Sequence, residues 1–176
     1  MTLMLSYKRY FIVAIFAILI GTSLNSCRIS YSFTGVSLPP QTRTYSVYYF
    51  PNRARLVNPT LSQFFTEELK DKLRRQSPLR ESAEDGDLIY EGFIENYDLS
   101  PVSIQKGDAA AQNRLTIAIS IKYTNRFDTS QNFERSFSGY EDFDSSMSWS
   151  RIEDEIVPLI IDKIIEDLFN TTIANW

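Results

Sequence analysis

From Asn113 to Asn125 the chain sets Leu115, Ile117, Ile119, Ile121 and Tyr123 on one parity and Arg114, Thr116, Ala118, Ser120 and Lys122 on the other. Successive side chains leave a strand on opposite faces, so this segment buries one side and leaves the other polar. That pattern commits the chain to a sheet covered on one face, as antiparallel sheets are, and calls for other elements to cover the apolar side. Two segments have the spacing for it. Leu61, Phe64, Phe65, Leu69 and Leu73 share one helical face; Thr60 and Gln63 make a capping-box pattern ahead of them, and Ser77-Pro78 stops the run. Ile152, Ile156, Leu159, Ile160, Ile164, Leu168 and Phe169 form a second stripe, widened by Ile161 and Ile165 and opened by Ser150 with Glu153. Pro158 predicts a kink there, because it has no N–H to donate and crowds the carbonyl four residues back.

Three more strands complete the pattern. Thr44 to Phe50 is aromatic and β-branched and ends at Pro51-Asn52; Leu88 to Leu99 ends before Ser100-Pro101; and Phe133, Phe137 and Phe143 fall in phase on a fourth strand. Gly92 predicts a bulge or a close backbone approach, and Gly139 a bulge. The order β-α-β-β-β-α predicts an α+β fold. Its compact form is a two-layer sandwich, with two helices packed on one face of a four-stranded, mostly antiparallel sheet.

Composition removes whole classes of chemistry. The 176 residues hold no His and one Cys, so Ser-His-Asp and Cys-His arrangements, imidazole zinc sites and intramolecular disulfides are all excluded. With 18 Lys plus Arg against 22 Asp plus Glu, there is no concentrated basic face for nucleic acid. No glycine-rich phosphate loop occurs. Acids gather at Glu81/Glu84/Asp85/Asp87, Glu141/Asp142/Asp144 and Glu153/Asp154/Glu155, without the loop spacing of a calcium site. They read as solvated turns and helix starts, the third group favoured by the helix dipole. No cofactor and no catalytic group is expected, so the chain does not read as an enzyme.

Lys8 and Arg9 precede an apolar run from Tyr10 to Ile20, which Gly21-Thr22-Ser23 breaks. Charged, apolar and small-residue regions in that order form a secretory signal. The run would span roughly 16 Å as a helix, about half the hydrocarbon core of a bilayer. Leu24-Asn25-Ser26-Cys27 resembles the bacterial lipoprotein cleavage box. That resemblance implies cleavage before Cys27 and lipidation of its sulfur; the alternative is an uncleaved anchor with an idle thiol. Two or more acyl chains hold a protein stably to a membrane. The expected organisation is a signal peptide over 1–26, a lipidated N-terminus and extended linker over 27–43, and a folded domain over 44–176.

Arginine forks match phosphate geometry, and basic residues gather at Arg53/Arg55, at Arg74/Arg75/Arg80 and at Lys106/Arg114. Arg74 and Arg75 have a simpler explanation as cations at a helix C-terminus. Tyr48 and Phe50, on the less clearly buried face of their strand, are candidates to meet a partner.

Several segments, in order, resemble one family. They are Cys27-Arg28-Ile29-Ser30-Tyr31-Ser32-Phe33-Thr34-Gly35, Tyr49-Phe50-Pro51-Asn52-Arg53-Ala54, Pro59-Thr60-Leu61-Ser62 through Leu69-Lys70-Asp71, and Gly86-Asp87-Leu88. Tyr90-Glu91-Gly92, Asn113-Arg114-Leu115-Thr116 and Phe169-Asn170 through Asn175-Trp176 continue the series. The succession is similar to the LptE-like lipoproteins of the Bacteroidetes type. The resemblance implies a two-helix, four-stranded domain on the periplasmic face of the outer membrane. Such a domain plugs and supports the LptD β-barrel in a one-to-one complex during lipopolysaccharide assembly. Arg53, Arg55, Lys106 and Arg114 are then the candidate lipopolysaccharide contacts, on charge alone, since none falls on a family motif that marks such a contact. An auxiliary lipoprotein of an envelope ABC-type lipid transporter is the alternative, and a periplasmic hydrolase a more distant one.

Overall fold

The computed structural model describes residues 38–102 and 111–174. The signal segment, Cys27, most of the expected linker and Lys106 lie outside the described residues.

The alternating segment forms β4 (Gln112–Asn125), in which Leu115, Ile117, Ile119, Ile121 and Tyr123 are buried. It pairs antiparallel with β3 (Leu88–Val102) and with β5 (Phe133–Asp144). A 3₁₀ turn at Thr129–Gln131 separates β4 from β5. Register carries the apolar parity across the sheet: Tyr90 lies opposite Tyr123, Ile94 opposite Ile119, and Phe137 opposite Ile119 from the other side.

The sheet has five strands, ordered β2-β1-β3-β4-β5, where four were expected. The additional one, β2 (Arg80–Glu81), pairs parallel with β1 (Thr44–Val47), which itself runs parallel to β3. Two residues after a helix-stopping proline are too short to show a period, so the sequence pattern passes over them. β1 also ends three residues earlier than its aromatic pattern suggests. The chain nevertheless continues along β3, with Tyr48 N bonded to Tyr90 O and Arg53 N to Ile94 O.

Of the two expected roles for Gly92 the structure shows the close backbone approach, and Gly139 does not stand at a bulge. The register shift falls between Ile94 and Asn96, while Gly92 lies where a Cβ would stand 2.0 Å from Ser120 O. β5 holds register throughout, and Gly139 instead admits a helix: a Cβ there would meet Ile160 Cγ2 at 3.1 Å.

The helices are α1 (Leu61–Gln76) and α2 (Trp149–Phe169), the latter continuing into a π turn at Asn170–Ala174. The expected caps are not the ones used. Thr60 makes no side-chain cap; Asn58 Oδ1 accepts from Thr60 N and Leu61 N instead. Ser150 lies inside α2, whose N-cap position is Ser148. α1 meets the sheet through Phe65, edge-on to Phe50 at 4.9 Å, and through Lys70 O, which accepts from Tyr45 Oη. α2 lies against β5 over Gly139, and its π turn receives the Tyr90 hydroxyl at Thr172. α2 runs through Pro158 without interruption. Among the described residues no helix is long and apolar enough to cross a membrane.

Candidate functional site

Three of the four basic candidates are described, and all three stand around the sheet face opposite the buried parity. Register puts Phe93, Asp98 and Ser100 of β3 beside Ser120, Thr116 and Arg114 of β4, and Arg114 beside Asp142 of β5. Arg53 follows β1 and lays its guanidinium 4.4 Å from the centre of the Phe93 ring. Arg55 approaches Asp98 at 3.6 Å, in solvent. Arg114 is held most firmly: Nε and Nη2 donate to Asp142 Oδ1 and Oδ2 at 2.7 and 2.9 Å, and the guanidinium stacks 3.9 Å from the Tyr140 ring. The same fork holds the Asp142 carboxyl below the usual carboxylate range, against a weaker opposing effect of burial.

The three arginines therefore share a face but do not converge. Each rests on an aromatic ring or a carboxylate, and the sheet between them carries the small side chains of Thr116, Ala118, Ser120, Ser136 and Ser138. Lys122 and Glu91 add another cross-strand ion pair. A flat floor of small polar groups with fixed charges and rings around it can recognise a surface or a lipid headgroup.

Tyr140, Asp142 and Phe93 belong to this site, and sequence reasoning did not assign them to it. Asp142 read as one of an acidic run. Only the β4–β5 register, which sets it opposite Arg114, shows otherwise. Phe50, expected as a partner contact, is fully buried against Phe65, whereas Tyr48 is partly exposed. The segment after Val47 leaves regular strand geometry, so the alternation that placed Phe50 and Tyr48 on one face no longer applies.

Several other acids of these runs are engaged locally. Asp87 accepts from Arg43 N, Thr44 N and Thr44 Oγ1; Asp85 pairs with Arg126; Glu153 accepts from Asn58 Nδ2 and the Tyr97 hydroxyl. Among the described residues no three His, Cys, Asp or Glu side chains converge as metal ligands.

A family model described as LptE, lipopolysaccharide-assembly, matches residues 42–172. No curated protein sequence matches the chain. Among solved structures, the hypothetical protein CT253 from Chlamydia trachomatis superposes with a TM-score of 0.52 at 7% identity, over 74% of this chain and 98% of that one. This likeness bears on the fold alone. A minor lipoprotein from Acinetobacter baumannii has a TM-score of 0.48 at 13% identity, over 72% of this chain and 88% of that one. Rare lipoprotein B from Shewanella oneidensis has 0.46 at 11% identity, over 73% and 90%. At those scores the last two support no inference.

Proposed function

The chain belongs to the LptE lipopolysaccharide-assembly family, and on that premise we propose that it is an outer-membrane lipoprotein whose folded domain plugs and supports an LptD-like β-barrel, one copy to one barrel. The observation that carries the reading is the family match over 42–172, which takes in every described strand and both α-helices.

The physical demands of such a role fit this domain. A plug needs a stiff body with a polar exterior and no reactive group. In this reading the domain is a two-layer sandwich, supported by the contacts that α1 makes through Phe65 and α2 makes over Gly139. Cys27, acylated after removal of residues 1–26, tethers the domain at the periplasmic face through residues 28–43. A tether raises the local concentration of the domain at the barrel mouth without adding a contact. The open sheet face is the surface offered to lipopolysaccharide phosphates. Arg53 is the best placed of the candidates, because its guanidinium covers a ring and meets no carboxylate within ion-pair distance among the described residues.

Purification of the lipidated protein from its own membrane tests this. A stable one-to-one complex with a large outer-membrane barrel is expected, together with a diacylglyceryl adduct on Cys27 by mass spectrometry and release from the membrane in Cys27→Ser. Recovery with an inner-membrane ATPase complex and no barrel would replace the plug with the ABC-transporter reading.

A further inference from the structure

The two sides of the sheet end differently. Among the described residues, only the two-residue β2 lies beyond β1, whereas β5 presents a 12-residue outer strand with no proline and no register shift against β4. The bond from Ser145 N to Ala111 O continues the β4–β5 ladder by one step and fixes its phase. Residues directly opposite in an antiparallel pair alternate between exchanging both backbone bonds and exchanging none. The odd-numbered residues of β5 therefore bond to β4. The N–H and C=O groups of Glu134, Ser136, Ser138, Tyr140 and Asp142 point away from the sheet, and no strand among the described residues takes them up. Sheets ordinarily blunt such an edge with proline, a bulge, a very short strand or charged side chains. Of these β5 carries only charges, most of them engaged within the chain: Arg135 lies over the Phe133 and Phe137 rings, Glu141 meets Lys163 and Asp142 meets Arg114.

The solvent-facing side of α2 runs beside this edge. Two adjoining grooves of about 640 and 580 Å³ lie between them, sharing Ser138 and Asp167. The helix wall of the second groove is mostly acidic, whereas the first groove also holds Arg135 of β5, whose Nη2 donates to Thr171 Oγ1. Glu166 is engaged by Lys72, and Glu141 of β5 by Lys163, but among the described residues Asp162 and Asp167 meet no cation within ion-pair distance.

We propose that the outer edge of β5 takes up a sixth strand: an extended segment of a partner protein carrying Lys or Arg on the alternate residues that face α2. Backbone bonds to Ser136, Ser138 and Tyr140 supply affinity, and the second groove, with Asp162 and Asp167, selects the cationic side chains. The edge belongs to this chain whoever the partner is; only the identity of the partner as the barrel rests on the plug reading.

The test is photo-cross-linking in the full-length lipidated protein in its own membrane, with p-benzoylphenylalanine in place of Tyr140. The expected product joins β5 to a partner peptide with Lys or Arg at alternate positions. Ser138→Pro removes an outward N–H and no bond to β4, and should lower the cross-link yield by about tenfold or more. The double variant Asp162→Lys with Asp167→Lys should do the same without touching the strand. A linked peptide from a second copy of this chain, a peptide without the basic alternation, a yield that both variants leave unchanged, or no cross-link at all would each overturn the proposal. A basic-alternating peptide from a protein other than an outer-membrane barrel would uphold the edge and remove the plug reading, so the two stand or fall separately.

Discussion

Tyr90 and Tyr123 lie directly opposite one another on β3 and β4 with ring centroids 5.2 Å apart, and only one of their two buried hydroxyls has a partner. Tyr90 Oη donates to Thr172 Oγ1 at 3.0 Å and so fastens the π turn after α2 to the sheet. Tyr123 Oη has no bonded partner among the described residues. The nearby Asn125 side chain is spent on Gln131, Phe127 and Asp128. Burial raises the pKa of both phenols, so both stay neutral over the ordinary pH range.

Two substitutions on these neighbours should therefore move stability in different directions. Tyr90→Phe loses a buried hydrogen bond and should cost about 1 kcal/mol. Tyr123→Phe removes an unsatisfied polar atom and keeps the ring, so it should be neutral or stabilising by up to about 1 kcal/mol. Urea unfolding of both variants decides this. Equal losses would mean that the Tyr123 hydroxyl is satisfied after all.

Gly92 and Gly139 should differ sharply as alanines. At 92 the new methyl would press on Ser120 O, a backbone atom held by the β3–β4 ladder, with Phe50 Cε1 only 2.9 Å away. Overpacking against backbone should cost about 3 kcal/mol. At 139 the nearest atom is the Ile160 side-chain methyl at 3.1 Å, which a small shift of α2 relieves. Gly139→Ala should cost about 1 kcal/mol. Thermal unfolding that ranked the two the other way would contradict the packing of α2 over β5.

Asp87 should make stability depend on acid. Burial works against its charge, but the Arg43 and Thr44 N–H groups, the Thr44 hydroxyl and then Arg126 outweigh burial and lower its pKa. A lowered native pKa means that the stabilisation is complete above the unfolded-state value near 4 and is lost as pH falls through the native one. Asp87→Asn should cost about 1 kcal/mol at pH 7, after allowing for the solvent that screens this half-buried group. The difference from the parent should shrink steadily below about pH 4. A gap that persisted at pH 2 would assign the loss to shape rather than charge.

Pro158 sits inside α2 and leaves the carbonyl four residues back without its helical donor. Its ring is exposed, so Pro158→Ala creates no cavity. The variant should gain about 1 kcal/mol or more, read as a rise in Tm. A fall would mean that the proline shapes the groove between α1 and α2, where it sits beside Phe64 and Leu159.

How far the sequence reaches is clear from particular elements. The parity of Leu115 to Tyr123 and the stripes of α1 and α2 are legible because burial of one face leaves a repeat of 2 or 3.6 residues in the chain. β2 is not, since two residues hold no repeat. Nor are the Asn58 cap or the role of Gly139, which depend on what a distant segment brings near; Gly92 is legible as a bulge or a close approach, and only the fold chooses the second. The site divides in the same way. Arg53, Arg55 and Arg114 were recognisable as cations, but Phe93, Tyr140 and Asp142 acquire their roles from cross-strand register, which single-strand patterning does not fix.

Arg53 and Arg114 should differ as contacts for lipopolysaccharide. A charge-assisted hydrogen bond to phosphate is strong only if the donor is free to make it. Arg114 has its fork filled by Asp142 and its face covered by Tyr140, so a phosphate would first have to displace a carboxylate. Arg53 rests on the Phe93 ring at 4.4 Å, with no carboxylate partner among the described residues. Arg53→Ala should therefore weaken binding to lipopolysaccharide about tenfold, whereas Arg114→Ala should change it by less than about twofold. Asp142→Asn, which loosens the Arg114 fork, should strengthen binding. Titration of fluorescent lipopolysaccharide against the purified lipidated protein measures all three. Equal losses at Arg53 and Arg114 would show that the Asp142 pair opens to the lipid, and that the whole sheet face acts as one site.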